Sequence, residues 1–344
     1  MEVKRILYAG LDIHKTTCQA SIYTTDGKTI KKGKITNKPD KIQDFFKEFT
    51  ELTIAIEACA NWEPVFEALE HAGHRVVLAH PLKTRMIAES KVKTDKVDAA
   101  ILAHLLRTGF LPTSYIPTKK MRDLRNQVRQ RITLGKYRGK FKNKICGELL
   151  RRGIPYEAGG AIFTAQGRRW LRSLNIPTIT TYLTILEATM KEIDVCEQAL
   201  RDQGKDNKNV RLLTTIPGIG NYSALLILSE IGDIHRFPRE EKLFAYAGVI
   251  PSVHQSGDHK YHGRITKQGS KYLRWILTEA VRIHLIWTRK HETETTISQF
   301  YDRVRKSKPE NVAAIAASRK LLQIIYHMLK YQDEFKGYRS LPRF

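Results

Sequence analysis

A mixed α/β sheet domain followed by a helical remainder is the fold class this sequence predicts. Strand-like runs around a Thr24-Thr25-Asp26-Gly27 turn, alternating helix and strand patterns up to residue 79, and almost purely helical periodicity after Val97 carry the prediction. Residues 6–13 form an apolar, partly β-branched run, 19–23 a second strand and 29–35 a basic third one, which together make a meander. A helix with Ile42, Phe45, Phe46 and Phe49 on one face follows, then a strand at 52–56, a helix near 64–72 and a strand at 75–79.

From residue 121 to about 150, Lys and Arg crowd around Leu124, Val128, Leu134, Tyr137, Phe141, Ile145 and Leu149, which predicts a long basic helix. Beyond a loop marked by Gly159-Gly160, the series Ile179, Leu183, Leu186, Met190, Ile193, Leu200 steps by four and three. This heptad seam, interrupted at Glu197, would pair as a hairpin or across subunits. Residues 202–209 read as a charged linker, 210–289 as a third region and 311–329 as a further helix. The division is therefore 1–118 (α/β), 119–206 (basic helical, coiled-coil) and 207–344 (helical).

The 344 residues, 42% of them hydrophobic, suffice for buried cores. Lys and Arg number 59 against 35 Asp and Glu, a net charge of +24, so a polyanion such as nucleic acid is the expected partner. Cys18, Cys59, Cys146 and Cys196 are far apart and form no Cys-x-x-Cys pair, which argues against a zinc ribbon or a disulfide framework and fits a reducing cytoplasm. The N-terminal apolar run is too short for a signal peptide, and no run of about 18 apolar residues predicts a membrane span.

Four acids stand out. Asp12 and Glu57 end predicted strands, where open α/β sheets place their sites, and Asp95 and Asp98 lie one helical turn apart in Lys93-Thr94-Asp95-Lys96-Val97-Asp98. Each alone would pass for a strand-end turn or a helix cap. In this order they suit a pair of hard cations about 4 Å apart, the arrangement that drives phosphoryl transfer.

Ile216-Pro217-Gly218-Ile219-Gly220 looks like a helix-hairpin-helix turn, with Pro217, Gly218 and Gly220 presenting backbone N–H groups to a DNA phosphate. Residues 252–264 form a polar, glycine-flanked loop suited to a nucleophile, and Ser252, Ser256, Tyr261 and Ser270 are all chemically eligible. His254, His259 and His262 lack the partners of a zinc site. Arg264, Lys267, Lys271 and Arg274 gather at the start of the next helix as candidate phosphate contacts.

With these motifs together, Gly10-Leu11-Asp12-Ile13-His14-Lys15, the Asp95/Asp98 segment, Ile216 to Gly220, Ala247-Gly248-Val249-Ile250-Pro251 with Ser256-Gly257, and Gly263 to Gly269, the chain resembles the insertion-sequence transposases known as bridge-RNA-guided recombinases. These join a DEDD-type RuvC-like domain to a helical domain with a catalytic serine. The resemblance implies an RNase H-like first domain in which Asp12, Glu57, Asp95 and Asp98 bind two Mg²⁺. It further implies that Ser256 becomes covalently linked to a DNA phosphate, and that Ser256 of one subunit meets the carboxylates of another within a multimer; the heptad seam suits a dimer or a dimer of dimers (tetramer). A structured guide RNA pairing with donor and target DNA, in a prokaryotic cytoplasm close to the nucleoid, completes the expectation. Two departures stand within the motifs: Cys59-Ala60-Asn61-Trp62 replaces the family's Thr-Gly and aromatic after Glu57-Ala58, and Gln255 precedes Ser256. The competing readings are a junction-resolving metal nuclease that uses water, and a non-catalytic nucleic-acid-binding protein.

Overall fold

β1 (Leu7–Ile13) is the spine of the N-terminal sheet, and its residues alternate between two buried faces. The computed structural model describes residues 6–87, 95–156, 161–256 and 259–337, without the side chains of 95–96, 253–256 and 259–262. β2 (Thr17–Thr24) and β3 (Thr29–Thr36) continue the meander antiparallel to β1. After α1 (Pro39–Phe46), β4 (Leu52–Glu57) pairs parallel with β1 on its other side. α2 (Trp62–His71) leads to β5 (Arg75–Ala79), parallel to β4, and α3 (Pro81–Ile87) and α4 (Asp95–Arg107) precede the two-residue edge strand β6 (Thr113–Ser114). The six-stranded order is β3-β2-β1-β4-β5-β6. This mixed sheet fits an RNase H-like domain.

The two faces differ in residue size, and that difference positions the site. Leu11, Ile13, Ile54, Ile56, Cys18 and Ile22 pack against Ile42 and Phe46 of α1 and Val65, Phe66 and Leu69 of α2. The opposite face carries small residues: Gly10, Ser21 (paired with Gly10), Ala55 and Ala79. There α4 approaches closely, with Leu102 packed on Ala55 and Ala79. The edge strand β3 exposes a lysine-rich sequence, Thr29-Ile30-Lys31-Lys32-Gly33-Lys34, which discourages edge-to-edge pairing.

A second unit spans Pro117–Phe344. α5 (Lys119–Arg151), capped by the Thr118 hydroxyl accepting from Met121 N–H, runs for 33 residues, about 50 Å. α6 (Ala165–Ser173) and α7 (Pro177–Gly204) follow. Ile145 and Leu149 near the end of α5 bury against Ile179, Leu183 and Leu186 near the start of α7, while Val128 and Ile132 share a core with Leu200. The two helices are therefore antiparallel, and the heptad seam is satisfied within one chain. Glu197, the interruption in the seam, accepts from Arg131 Nε at 3.0 Å.

The expected linker is a three-residue turn, because α7 runs on to Gly204 and α8 (Lys208–Thr214) starts after Asn207, whose side chain caps Asn209 and Val210 N–H. α9 (Asn221–Ile231), a 3₁₀ turn (Ile234–Arg236) and α10 (Glu240–Ala247) lead to a second difference. The expected polar loop is an antiparallel hairpin, β7 (Pro251–Ser256) with β8 (His259–Ile265). Val253, Tyr261 and Ile265 give it β propensity that the surrounding His, Ser and Gly obscured. α11 (Lys271–Lys290), α12 (Thr296–Arg305) and α13 (Glu310–Tyr331) complete the core. α6 and α12, of 9 and 10 residues, lie in segments for which the sequence predicts no element. Among the described residues no helix is long and apolar enough to cross a membrane.

Buried Glu230 of α9 organises this unit. Its carboxylate accepts from Arg129 of α5 (2.8 and 3.0 Å) and from the Ser270 hydroxyl (2.8 Å), and Arg125 of α5 donates to the neighbouring Ser229 carbonyl. A fully buried carboxylate is tolerated only when so paired.

Candidate active site

Asp12 and Glu57 lie at the same level on adjacent strands. The parallel register runs Gly10↔Ala55, Leu11↔Ile56, and one step further it brings Asp12 beside Glu57 at the usual strand spacing of about 4.8 Å. Alternation places both on the face of Gly10 and Ala55, the face that α4 covers. A Cβ on Gly10 would meet Ala99 O at 2.0 Å, Ala103 N at 2.6 Å and Leu102 Cβ at 3.0 Å, so the α4 backbone is seated directly on β1.

The direction of α4 follows from its far end. His104 packs at a tilt on Tyr23, whose partner Tyr8 lies at the start of β1, and Arg107 donates to Thr25 O at 2.9 Å beside the β2–β3 turn. α4 thus runs opposite to β1, and its first turn reaches the Asp12 and Glu57 end. Asp98 shares the helix face of Leu102, one turn earlier. Asp95 opens the helix, and its side chain lies outside the described residues.

Neighbouring side chains hold the strand ends. His14 Nε2 is 3.0 Å from Asp12 Oδ2, and the His14 carbonyl accepts from Asn37 Nδ2 (2.7 Å) and Asn61 Nδ2 (3.0 Å). The Cys59 thiol donates to Asn61 Oδ1 at 3.1 Å. The departing turn Cys59-Ala60-Asn61-Trp62 therefore ties the end of β4 to the residue two past Asp12, and Trp62 packs edge-on to Phe66. Burial, reinforced by Cys59 and Asp12, pushes the Cys18 thiol up to about 12, and burial also raises Cys59. Both stay protonated at neutral pH and are poor nucleophiles. Gln19, buried opposite Asp12, went unread in the sequence; the alternation of Gln19 and Ser21 with Cys18, Ala20 and Ile22 was the signal for it.

As to fit for a cation, the donors are all carboxylate oxygens, which suits a hard divalent ion. Among the described residues, which do not include the Asp95 side chain, no three His, Cys, Asp or Glu side chains gather closely enough to hold a metal. The strand register and the α4 contacts place the backbones of the set at one end of one sheet face.

The remaining candidates lie in the second unit. Ser256 ends β7 opposite His259; its side chain, and those of His254, Tyr261, His259 and His262, lie outside the described residues. Ser270 is occupied as the cap of α11, accepting from Leu273 N–H, and as donor to Glu230. Gly218 (φ +94°) faces inward, because a Cβ there would lie 2.7 Å from Ala280 O and His284 N. Pro217 O accepts from His284 Nδ1 at 2.7 Å, and Thr295 Oγ1 donates to Nε2 of the same ring at 2.7 Å. Of this turn only Gly220, preceding α9, is exposed. Arg264 and Lys267 are exposed off the helix, on β8 and the link that follows, and Lys271 is exposed at the first position of α11. Arg274 turns inward to Ala247 O at 3.0 Å, and burial lowers its pKa.

Comparison with known proteins finds transposases along most of the chain. The family model described as Transposase IS116/IS110/IS902 family matches residues 210–297, and the DEDD transposase model of the IS110 group matches residues 9–154. The transposase for insertion sequence element IS1533 of Leptospira borgpetersenii is 26% identical over 91% of this chain and 93% of its own. A probable family 20 transposase of Pseudomonas aeruginosa is 25% identical over 87% and 90%. The pilin gene-inverting protein of Moraxella lacunata is 29% identical over 95% and 97%. With its N-terminal and C-terminal regions each matching a model of the same group, and transposases aligned along nearly its whole length, the chain belongs to the IS110/IS116 family of insertion-sequence transposases, enzymes that cleave and rejoin DNA.

Proposed function

We propose that the chain cuts and rejoins DNA with Mg²⁺ held by Asp12, Glu57, Asp95 and Asp98 and with Ser256 as the attacking group, guided by a structured RNA. The observation that carries the metal site is the juxtaposition of strand ends and helix start: Asp12 beside Glu57, on the face that the first turn of α4 overhangs. Two divalent cations bound there would supply activation of the attacking oxygen and stabilisation of the leaving one. The carboxylates orient the phosphodiester, and His14 holds Asp12 in place. Ser256 Oγ forms the new P–O bond as the bond to one strand end breaks, and that end leaves as a hydroxyl bearing the serine proton. A hydroxyl from another strand then attacks the phosphoserine and restores the free serine. One ester replaces another at each step, so no external energy source is needed.

The resemblance of the Ser256 and acid motifs supports these roles, and the +24 charge supports RNA and DNA as simultaneous partners. A dimer or tetramer in which Ser256 of one subunit serves the acids of another completes the proposal. The inverting activity named for the Moraxella relative is the kind of paired strand exchange this chemistry yields.

The test uses end-labelled DNA, Mg²⁺ and co-purified RNA, with denaturing gels read for a protein–DNA adduct. Wild type should form the adduct and Ser256→Ala should not, and Asp12→Ala, Glu57→Ala and Asp98→Ala should abolish it while still binding nucleic acid. Free nicked DNA without an adduct, unaffected by Ser256→Ala, would establish water as the nucleophile.

A further inference from the structure

A groove in the second unit, which shares only Lys271 with the candidate residues above, has the makings of a binding site. One wall is the middle of α5, with Gly135, Lys136 and Arg138; the other is the first turns of α11, with Lys271, Tyr272 and Trp275. The cavity measures about 380 Å³, at the small end of ligand pockets.

Its chemistry is one-sided. No acid lines it, and among the described residues Lys136, Arg138 and Lys271 have no carboxylate partner. Arg131, which also borders the groove, is neutralised by Glu197. The two rings differ in availability. Tyr272 is engaged by Arg129, 4.5 Å from its centroid, and by Lys271 at 5.3 Å. Trp275 is 41% exposed, so part of its ring system is open to a partner. Gly135 keeps the α5 wall low where a side chain would crowd the cavity.

We propose that this groove holds an unpaired nucleotide of a single-stranded segment, its base stacked on Trp275 and its phosphates on Lys136, Arg138 and Lys271. The positive end of the α11 dipole adds to the attraction for phosphate. An indole among cations that have no carboxylate partner binds strands whose bases are exposed; a duplex hides its base faces inside the stack. Lack of acids and the cation ring argue for a polyanion over a neutral or basic partner. The inference rests on nucleic acid as the partner and is independent of the metal site.

The experiment measures binding of fluorescein-labelled oligo-dT, oligo-rU and a mixed-sequence duplex to the full chain in EDTA at about 0.1 M salt. Trp275→Ala should weaken single-strand binding about tenfold or more and Trp275→Phe about twofold or less, with duplex binding nearly unchanged. Whichever single strand loses more identifies the occupant as DNA or RNA. The Lys136→Ala/Arg138→Ala double variant should lower the salt slope on single strands by roughly 1.4. Wild-type single-strand affinity in Trp275→Ala would overturn the proposal, as would equal loss on duplex or a Trp275-dependent affinity for polyglutamate matching that for the oligonucleotides. EDTA excludes metal-dependent cleavage, so failure here leaves the carboxylate site standing, and failure of that site leaves this groove.

Discussion

At the scale of single residues, Gly10 is where packing and chemistry meet. Its missing side chain admits Ala99 and Ala103 of α4, so Gly10→Ala forces a clash with backbone that cannot swing aside. The substitution should destabilise the chain by about 1–3 kcal/mol in urea unfolding. Strand transfer should fall far more than DNA binding, because Asp98 moves with its helix; wild-type transfer would show that α4 is not seated as described. Glu230 is the corresponding residue of the second unit. Arg129→Ala leaves its carboxylate buried without its main partner and should cost about 3–5 kcal/mol, whereas Ser270→Ala, losing a cap and one hydrogen bond, should cost about 0.5–2 kcal/mol. A smaller loss from Arg129→Ala than from Ser270→Ala would reverse the assigned order.

At the scale of elements, the α5–α7 pair decides where the heptad seam is spent. Leu183 and Leu186 are fully buried against α5 of the same chain. Leu183→Ala should cost about 2–5 kcal/mol and leave the subunit number in light scattering unchanged. Dissociation at unchanged stability would mean that the seam pairs between subunits. The acid set was legible at this scale because strand-end and helix-start positions follow from local pattern. The β7–β8 hairpin was not, since its polar, glycine-containing sequence carries the composition of a loop and pairs only because two strands meet.

At the scale of the molecule, charge and proton linkage make separate predictions. With 59 basic residues against 35 acidic, the logarithm of DNA affinity should fall steeply and linearly with that of salt concentration; a flat response would remove phosphate contact as the source of binding. Burial lowers the pKa of His74, His104 and His284 below the ordinary value near 6.5. The unfolded chain therefore binds more protons in that range, so stability is complete above about pH 6.5 and declines as pH falls toward the folded-state values. The unfolding midpoint should drop between neutral pH and about pH 5. His74→Leu should lessen the drop, because both His74 ring nitrogens are buried without a partner among the described residues. An identical pH profile in that variant would assign the acid sensitivity elsewhere.

Sequence alone determined the switch from sheet to helices, the strand-end positions of Asp12 and Glu57, the helical spacing of Asp95 and Asp98, and the partner class implied by charge. These are local or additive properties, readable from period, spacing and composition. Tertiary structure decided that α4 runs back over the small-residue face of β1, that the Pro217-Gly218 turn faces the core through His284, and that Ser270 and Arg274 look inward. It also decided that Lys271, Trp275 and Lys136 share one groove. Each joins residues distant in the chain, and such contacts depend on which faces the folded chain brings together.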